Sequence, residues 1–196
     1  PMMAESVLAR FAALLQDRAS AGSWSSFEGA LNAIDHGQAA ALARAYTESA
    51  VWFAPGARLL GRDAPRLEVP DVDFTVWTLE TAARTLLLLR AARALSAESF
   101  MSAATACYES GDADEQQSWL RGLPLLPDPK RFLPIAIDAC RTNIVPVFES
   151  IACENSYPAR YFPERNFNQL VLKAMFNRIA LSRIIGLRDR RNAELT

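Results

Sequence analysis

Apolar residues recur along this chain at intervals of three and four, the spacing of one face of an α-helix. Over 5–20, Leu8, Phe11, Leu14 and Leu15 share such a face, and Gly22 reads as its end. Ser25 and Ser26 read as caps of a short second helix carrying Phe27, Leu31 and Ile34, closed by Gly37. A third helix is predicted over 38–53, with Leu42, Ala45, Tyr46 and Ser49 on one side, and Pro55-Gly56 breaks it. From Asp73 or Thr75 to Leu95 the apolar residues run almost all round, which predicts a helix enclosed by others.

The second half continues in the same period. Ser96 reads as a cap, Gly111 as a stop, and Asp112 with Glu115 as an acidic capping box. Asp128-Pro129 predicts a helix start, and Pro134, one turn in, predicts a kink. Asn143 reads as the cap of a helix carrying Val147, Phe148 and Ile151. An irregular stretch, 155–163, precedes a helix over 164–178, and Ser182 opens a short last one. No segment alternates as a strand does. The chain reads as all-α, with about nine or ten helices in a single domain over 1–196, either a bundle or an α-α superhelix of helical hairpins. The stretch 55–73 reads as a long irregular loop carrying Arg58, Arg62 and Arg66, a length that marks a functional or mobile segment.

Composition narrows the classes. Of 196 residues 51% are hydrophobic, and 21 basic side chains face 22 acidic ones, for a net charge of −1. That excludes a disordered chain and argues against a nucleic-acid binder, which is visibly basic. No apolar run approaches the ~20 residues of a membrane span, and no signal-peptide pattern opens the chain. Cys107, Cys140 and Cys153 stand far apart and read as reduced, buried thiols of a cytoplasmic protein. His36 is the single histidine, so a His-based metal site is not expected. There is no GxSxG, P-loop or GxGxxG pattern, and nothing calls for a cofactor.

Candidate chemistry gathers late in the chain. On the helix over 164–178 a narrow polar stripe runs through Asn166, Gln169, Lys173 and Asn177, while Asn168 falls on the apolar side. Just upstream lie Arg141, Asn143, Asn155, Tyr157 and Arg160. Arginine forks, one lysine and several amides suit a small anionic or polyhydroxylated molecule. Each also has a local explanation: a solvated stripe, Asn143 as a cap, Asn155 as a helix terminator, Arg160 as a surface charge. Glu149 and Glu154 are candidates for a general acid/base pair. Five residues apart, they sit about 140° around a helix and face each other only if that helix breaks. Positions 160–196 carry eight basic residues against three acidic ones, which predicts an anionic ligand, a partner or a solvated face.

The motif set Leu123-Pro124-Leu125-Leu126-Pro127-Asp128-Pro129, Ala139-Cys140-Arg141-Thr142-Asn143 and Phe148-Glu149-Ser150-Ile151-Ala152-Cys153-Glu154-Asn155 resembles the EboA family. So do Tyr157-Pro158-Ala159-Arg160-Tyr161-Phe162-Pro163, the run from Asn166 to Ala174, and Ile185-Gly186-Leu187. The resemblance is dense over 112–192 and thin over the first 70 residues. Ser156 and Tyr161 depart from it, standing where proline and histidine are expected. It implies an accessory role in secondary-metabolite handling or export, in clusters that also encode a prenyltransferase-like membrane protein and a sugar-cyclase-like enzyme. It carries over no agreed reaction and no catalytic residues. The leading expectation is therefore a protein that binds a polar or prenylated intermediate through Arg141, Asn143, Asn155, Tyr157, Arg160, Asn168, Gln169 and Lys173. The alternatives are an enzyme acting on a sugar- or cyclitol-derived metabolite, with Glu149 or Glu154 as base, and an adaptor that docks a membrane protein or enzyme of the same cluster.

Overall fold

The computed structural model describes residues 2–60 and 72–195, with side chains from Leu8 onward. Among these residues the fold is all-α: ten α-helices, three short 3-10 turns, and no strand beyond two isolated bridges. The helices are α1 (Met2–Arg18), α2 (Ala21–Asp35), α3 (Ala39–Trp52), α4 (Leu79–Ala94), α5 (Ala97–Glu109), α6 (Ala113–Gly122), α7 (Leu133–Ala139), α8 (Val145–Ala152), α9 (Tyr157–Tyr161) and α10 (Glu164–Phe176).

The helix with apolar residues all round is the axis of the fold. α1, α2 and α3 pack on α4, as do α5 and α6; α6 packs on α8, and α8 meets α7, α9 and α10. Each of Leu86, Leu87, Leu88 and Leu89 is buried, contributing about 1.5–3 kcal/mol of transfer free energy apiece. Arg84 is buried within the same helix. Its Nε donates to the Tyr46 carbonyl at 3.0 Å, and its Nη1 to Ser118 Oγ at 3.0 Å and the Asp114 carbonyl at 3.3 Å. Neutral acceptors thus solvate a charge that would otherwise be costly to bury. One hydrophobic cluster runs from Leu8 to Ile184, so the first three helices and the last share a core.

Several boundaries differ from those predicted, each for a local reason. α4 starts at Leu79 rather than at Asp73 or Thr75. Asp73 Oδ1 accepts from the Thr75 backbone N–H and hydroxyl, closing an Asx turn in place of a first helical turn. Thr78 is the cap, accepting from the Thr81 N–H. Gly22 lies in the first turn of α2 rather than ending α1, because Ser20 caps α2 upstream of Ser25 and Ser26. Asp128 makes no cap bond; it adopts a left-handed conformation (φ 46°), and Pro129 opens a 3-10 turn. Pro134 then falls in the first turn of α7, where its missing N–H costs nothing, and produces no kink. Asn143 does not cap α8; Ile144 takes that position without a side-chain bond, and Thr142 Oγ1 accepts the Ile144 N–H. The predicted starts at Ser96 and Asp112 are present, the latter as a complete capping box with Glu115.

Of the predicted loop, 55–60 and 72–73 are described, while Arg62 and Arg66 lie outside the described residues. Arg58 Nη1 donates to the Thr75 carbonyl at 2.8 Å, and Val72 forms a bridge with Asn155.

Helix α6 meets α4 closely at Gly122. A Cβ there would stand 2.6 Å from Thr85 Oγ1, on a side chain that is itself fully buried. Gly122→Ala is expected to lower stability to urea by about 1–3 kcal/mol, with Thr85→Ala in the same chain recovering part of the loss. Equal stability of Gly122→Ala and wild type would show that the contact is not tight.

Candidate functional site

The end of α7 and the outer flank of α10 enclose a recess of about 310 Å³. Ile137, Phe162 and Leu170 supply its apolar surface, and Arg141, Asn166, Gln169 and Lys173 its polar groups. The helical spacing of Asn166, Gln169 and Lys173 puts all three on one side of α10.

Lys173 fixes the two walls. Its ammonium donates to the Cys140 carbonyl at 2.7 Å and the Thr142 carbonyl at 2.6 Å, and lies 5.0 Å from the centre of the Phe148 ring. A cation on the carbonyls that leave a helix C-terminus is favoured by the peptide dipoles, and the ring face adds to this. An ammonium has three donors, so one N–H of Lys173 is uncommitted among the described residues. Gln169 is exposed and Asn166 half-buried, and neither amide has a partner among the described residues. Arg141 is exposed and pairs with Asp138 at 2.9 Å, a surface pair of little strength that a ligand can displace.

The other predicted residues sit elsewhere. Asn155 is buried, donating to the Leu120 and Ser150 carbonyls at 2.9 Å and accepting the Tyr157 N–H at 3.0 Å, so its whole amide pins α6, α8 and α9 together. Tyr157 donates its hydroxyl to the Pro129 carbonyl at 2.7 Å. Asn168 is buried and exchanges amide bonds with Asn192, also donating to Glu194 at 2.7 Å, which ties the C-terminal segment over α10. Asn143 and Arg160 are exposed. The structure therefore brings Arg141, Gln169 and Lys173 together, and gives Asn155, Tyr157 and Asn168 architectural partners.

Glu149 and Glu154 meet, because the helix between them breaks. α8 ends at Ala152, and Glu154 turns into the left-handed region (φ 49°), its N–H donating to the Arg183 carbonyl at 2.9 Å. Arg183 joins the two carboxylates: Nε and Nη2 hold both oxygens of Glu154 at 2.7 and 3.0 Å, and Nη1 holds Glu149 at 2.7 Å. These hydrogen bonds, to Glu154 first, raise the Arg183 pKa. Sequence reasoning missed Arg183 and also Arg121, whose charge lies close to Glu154; burial lowers the Arg121 pKa. Neither stands at a spacing that links it to the carboxylates, since the contacts span 29–34 residues for Arg183.

The molecule also has a larger hollow, about 760 Å³, between α2 and α3. Ala30, Ala33, Ala40, Ala41 and Ala45 contribute to its walls, and its Arg44 and Glu48 pair with each other at 2.8 Å. Gln38 supplies its side-chain amide.

An all-α scaffold with a donor-rimmed recess among its later helices is thus the class of protein that the fold and site define. The model of the metabolite traffic protein EboA family matches residues 67–196, two thirds of the chain, from the segment before α4 to the C-terminal end. The chain belongs to the EboA family. No curated protein and no solved structure matches it significantly. Helices α1–α3 lie before the matched region, yet they enclose α4. Among the described residues no helix is long and apolar enough to cross a membrane.

All three cysteines are free thiols. Burial pushes Cys107 and Cys140 up to about 12 and Cys153 to about 11, from an ordinary value of 9.0. The unfolded chain therefore releases these protons first. Their contribution to stability is fully present below about pH 9 and is lost as pH rises through 11 to 12. The urea midpoint is expected to drop over that window, and less so in a Cys107→Ala/Cys140→Ala/Cys153→Ala variant; an equal drop in both would assign the loss to other groups.

Proposed function

We propose that this chain binds a small metabolite with an anionic or polyhydroxylated head in the recess between α7 and α10, as an accessory protein of secondary-metabolite biosynthesis or trafficking. The observation that carries this reading is the convergence of a guanidinium, two unpartnered amides and an ammonium on one cavity with an apolar wall. Such a wall receives the carbon skeleton, while the rim groups select oxygen-rich ligands by leaving any other kind with unpaired donors. The family name, metabolite traffic protein, supports the same reading. Catalysis at Glu149 or Glu154 has less support, because Arg183 occupies three of the four carboxylate oxygens.

The test is thermal-shift screening against small carboxylates, phosphate esters, sugar acids and cyclitols, followed by calorimetry on any hit. Gln169→Ala and Arg141→Ala remove rim groups that carry no buried contact of the fold. Each is expected to weaken binding about tenfold with an unchanged melting temperature. Lys173→Ala is a poorer probe, because it also frees the carbonyls at the end of α7. Hits whose affinity is the same in wild type, Gln169→Ala and Arg141→Ala would place the ligand elsewhere.

A further inference from the structure

Helix α10 carries a second feature on its solvent side. Phe176 is 87% exposed, Leu172 and Met175 are each 54% exposed, and Ile144 and Val145 at the start of α8 are 48% and 41% exposed. Scattered exposed apolar residues are ordinary, but these five account for all but one of the large exposed hydrophobic side chains among the described residues. Three of them share one face of α10. Leu172 and Phe176 are one turn apart, and the Lys173 bond to the Thr142 carbonyl brings α10 alongside the turn that leads into Ile144.

Basic charge predominates around this strip. Arg165 lies on the same helical stripe as Leu172 and Phe176, at i, i+7 and i+11, and Arg178 follows the helix in a left-handed conformation (φ 59°). Both are exposed, and among the described residues neither makes an ion pair. Over 164–178 Arg165, Lys173 and Arg178 stand against a single acidic residue, Glu164, which shares the stripe of Met175. An aromatic and two aliphatic side chains held outward between arginines match a surface with an apolar interior and anionic headgroups. A second copy of the chain matches less well. Packing one strip on another about a twofold axis gathers four arginines, Arg165 and Arg178 of each copy, against only the two Glu164 carboxylates.

We infer that the exposed strip of α10 is a docking face for an anionic lipid bilayer, entered by Leu172, Met175 and Phe176 and steered by Arg165 and Arg178. The recess opens on the adjoining side of the same helix, through Gln169 and Lys173. Docking would therefore set its mouth at the headgroup layer. The inference stands on the strip alone and holds whether or not the recess takes a ligand.

Co-sedimentation with vesicles tests it, using phosphatidylcholine alone and phosphatidylcholine with phosphatidylglycerol. The wild-type chain is expected to pellet with the phosphatidylglycerol vesicles and to be released by raised salt. Leu172→Ser/Phe176→Ser should lower the partition coefficient about tenfold. Arg165→Gln/Arg178→Gln should remove the preference for the anionic vesicles. All these positions are exposed, and circular dichroism checks that both variants keep wild-type helicity. The inference is overturned if the wild type does not pellet with anionic vesicles, if it pellets equally with neutral ones, or if the apolar variant partitions like the wild type. It is also overturned if sedimentation velocity shows a dimer that Leu172→Ser/Phe176→Ser dissolves.

Discussion

A helix without a polar face has to be surrounded, and in this protein α4 is that helix. Its burial explains why helices from both ends of the chain belong to one core, and why the three helices before the family-matched region are packed into the structure. The guanidinium it takes inside, Arg84, is solvated by carbonyls and a hydroxyl of its neighbours, so the charge ties α3, α4 and α6 together. From α6 the order passes outward. Asn155 holds the Leu120 carbonyl and, with it, the junction of α8 and α9. The late helices are thus positioned before any of their exposed polar groups comes into play.

The polar side chains of those late helices divide by what they touch. Asn155, Tyr157 and Asn168 spend their hydrogen bonds on main chain or on the C-terminal segment, as buried polar groups must. Arg141, Asn166 and Gln169 keep donors that face a cavity. Lys173 lines the same cavity while tying α10 to the end of α7. A single ammonium thereby defines the recess and seats the apolar strip of α10 beside the start of α8.

Much of the fold is legible in the sequence because local signals agree with tertiary demand. Ser96, and Asp112 with Glu115, cap where they are expected, and the apolar circumference of α4 announces its burial. The misplaced boundaries share one cause: residues such as Asp73, Asp128 and Asn143 serve turns as readily as caps, and only long-range pairing decides between them. The site is less legible for two physical reasons. The carboxylates of Glu149 and Glu154 look splayed on an unbroken helix, and it takes a left-handed residue at 154 and an arginine 29 residues on to join them. A helical wheel of α10 also shows a nearly complete apolar ring and cannot say which part is covered. The C-terminal segment covers Asn168, whereas Leu172, Met175 and Phe176 are left in solvent.

The central claim is that a ligand engages the α7–α10 recess through amides the fold does not use. The side-chain NH₂ resonances of asparagine and glutamine in a ¹⁵N–¹H spectrum report on it directly during titration with a ligand found by thermal shift. Saturable shifts of the Asn166 and Gln169 side chains, with those of Asn155 left in place, are the predicted result. Shifts confined to Gln38 and the α2–α3 hollow, with Asn166 and Gln169 unmoved, would contradict it.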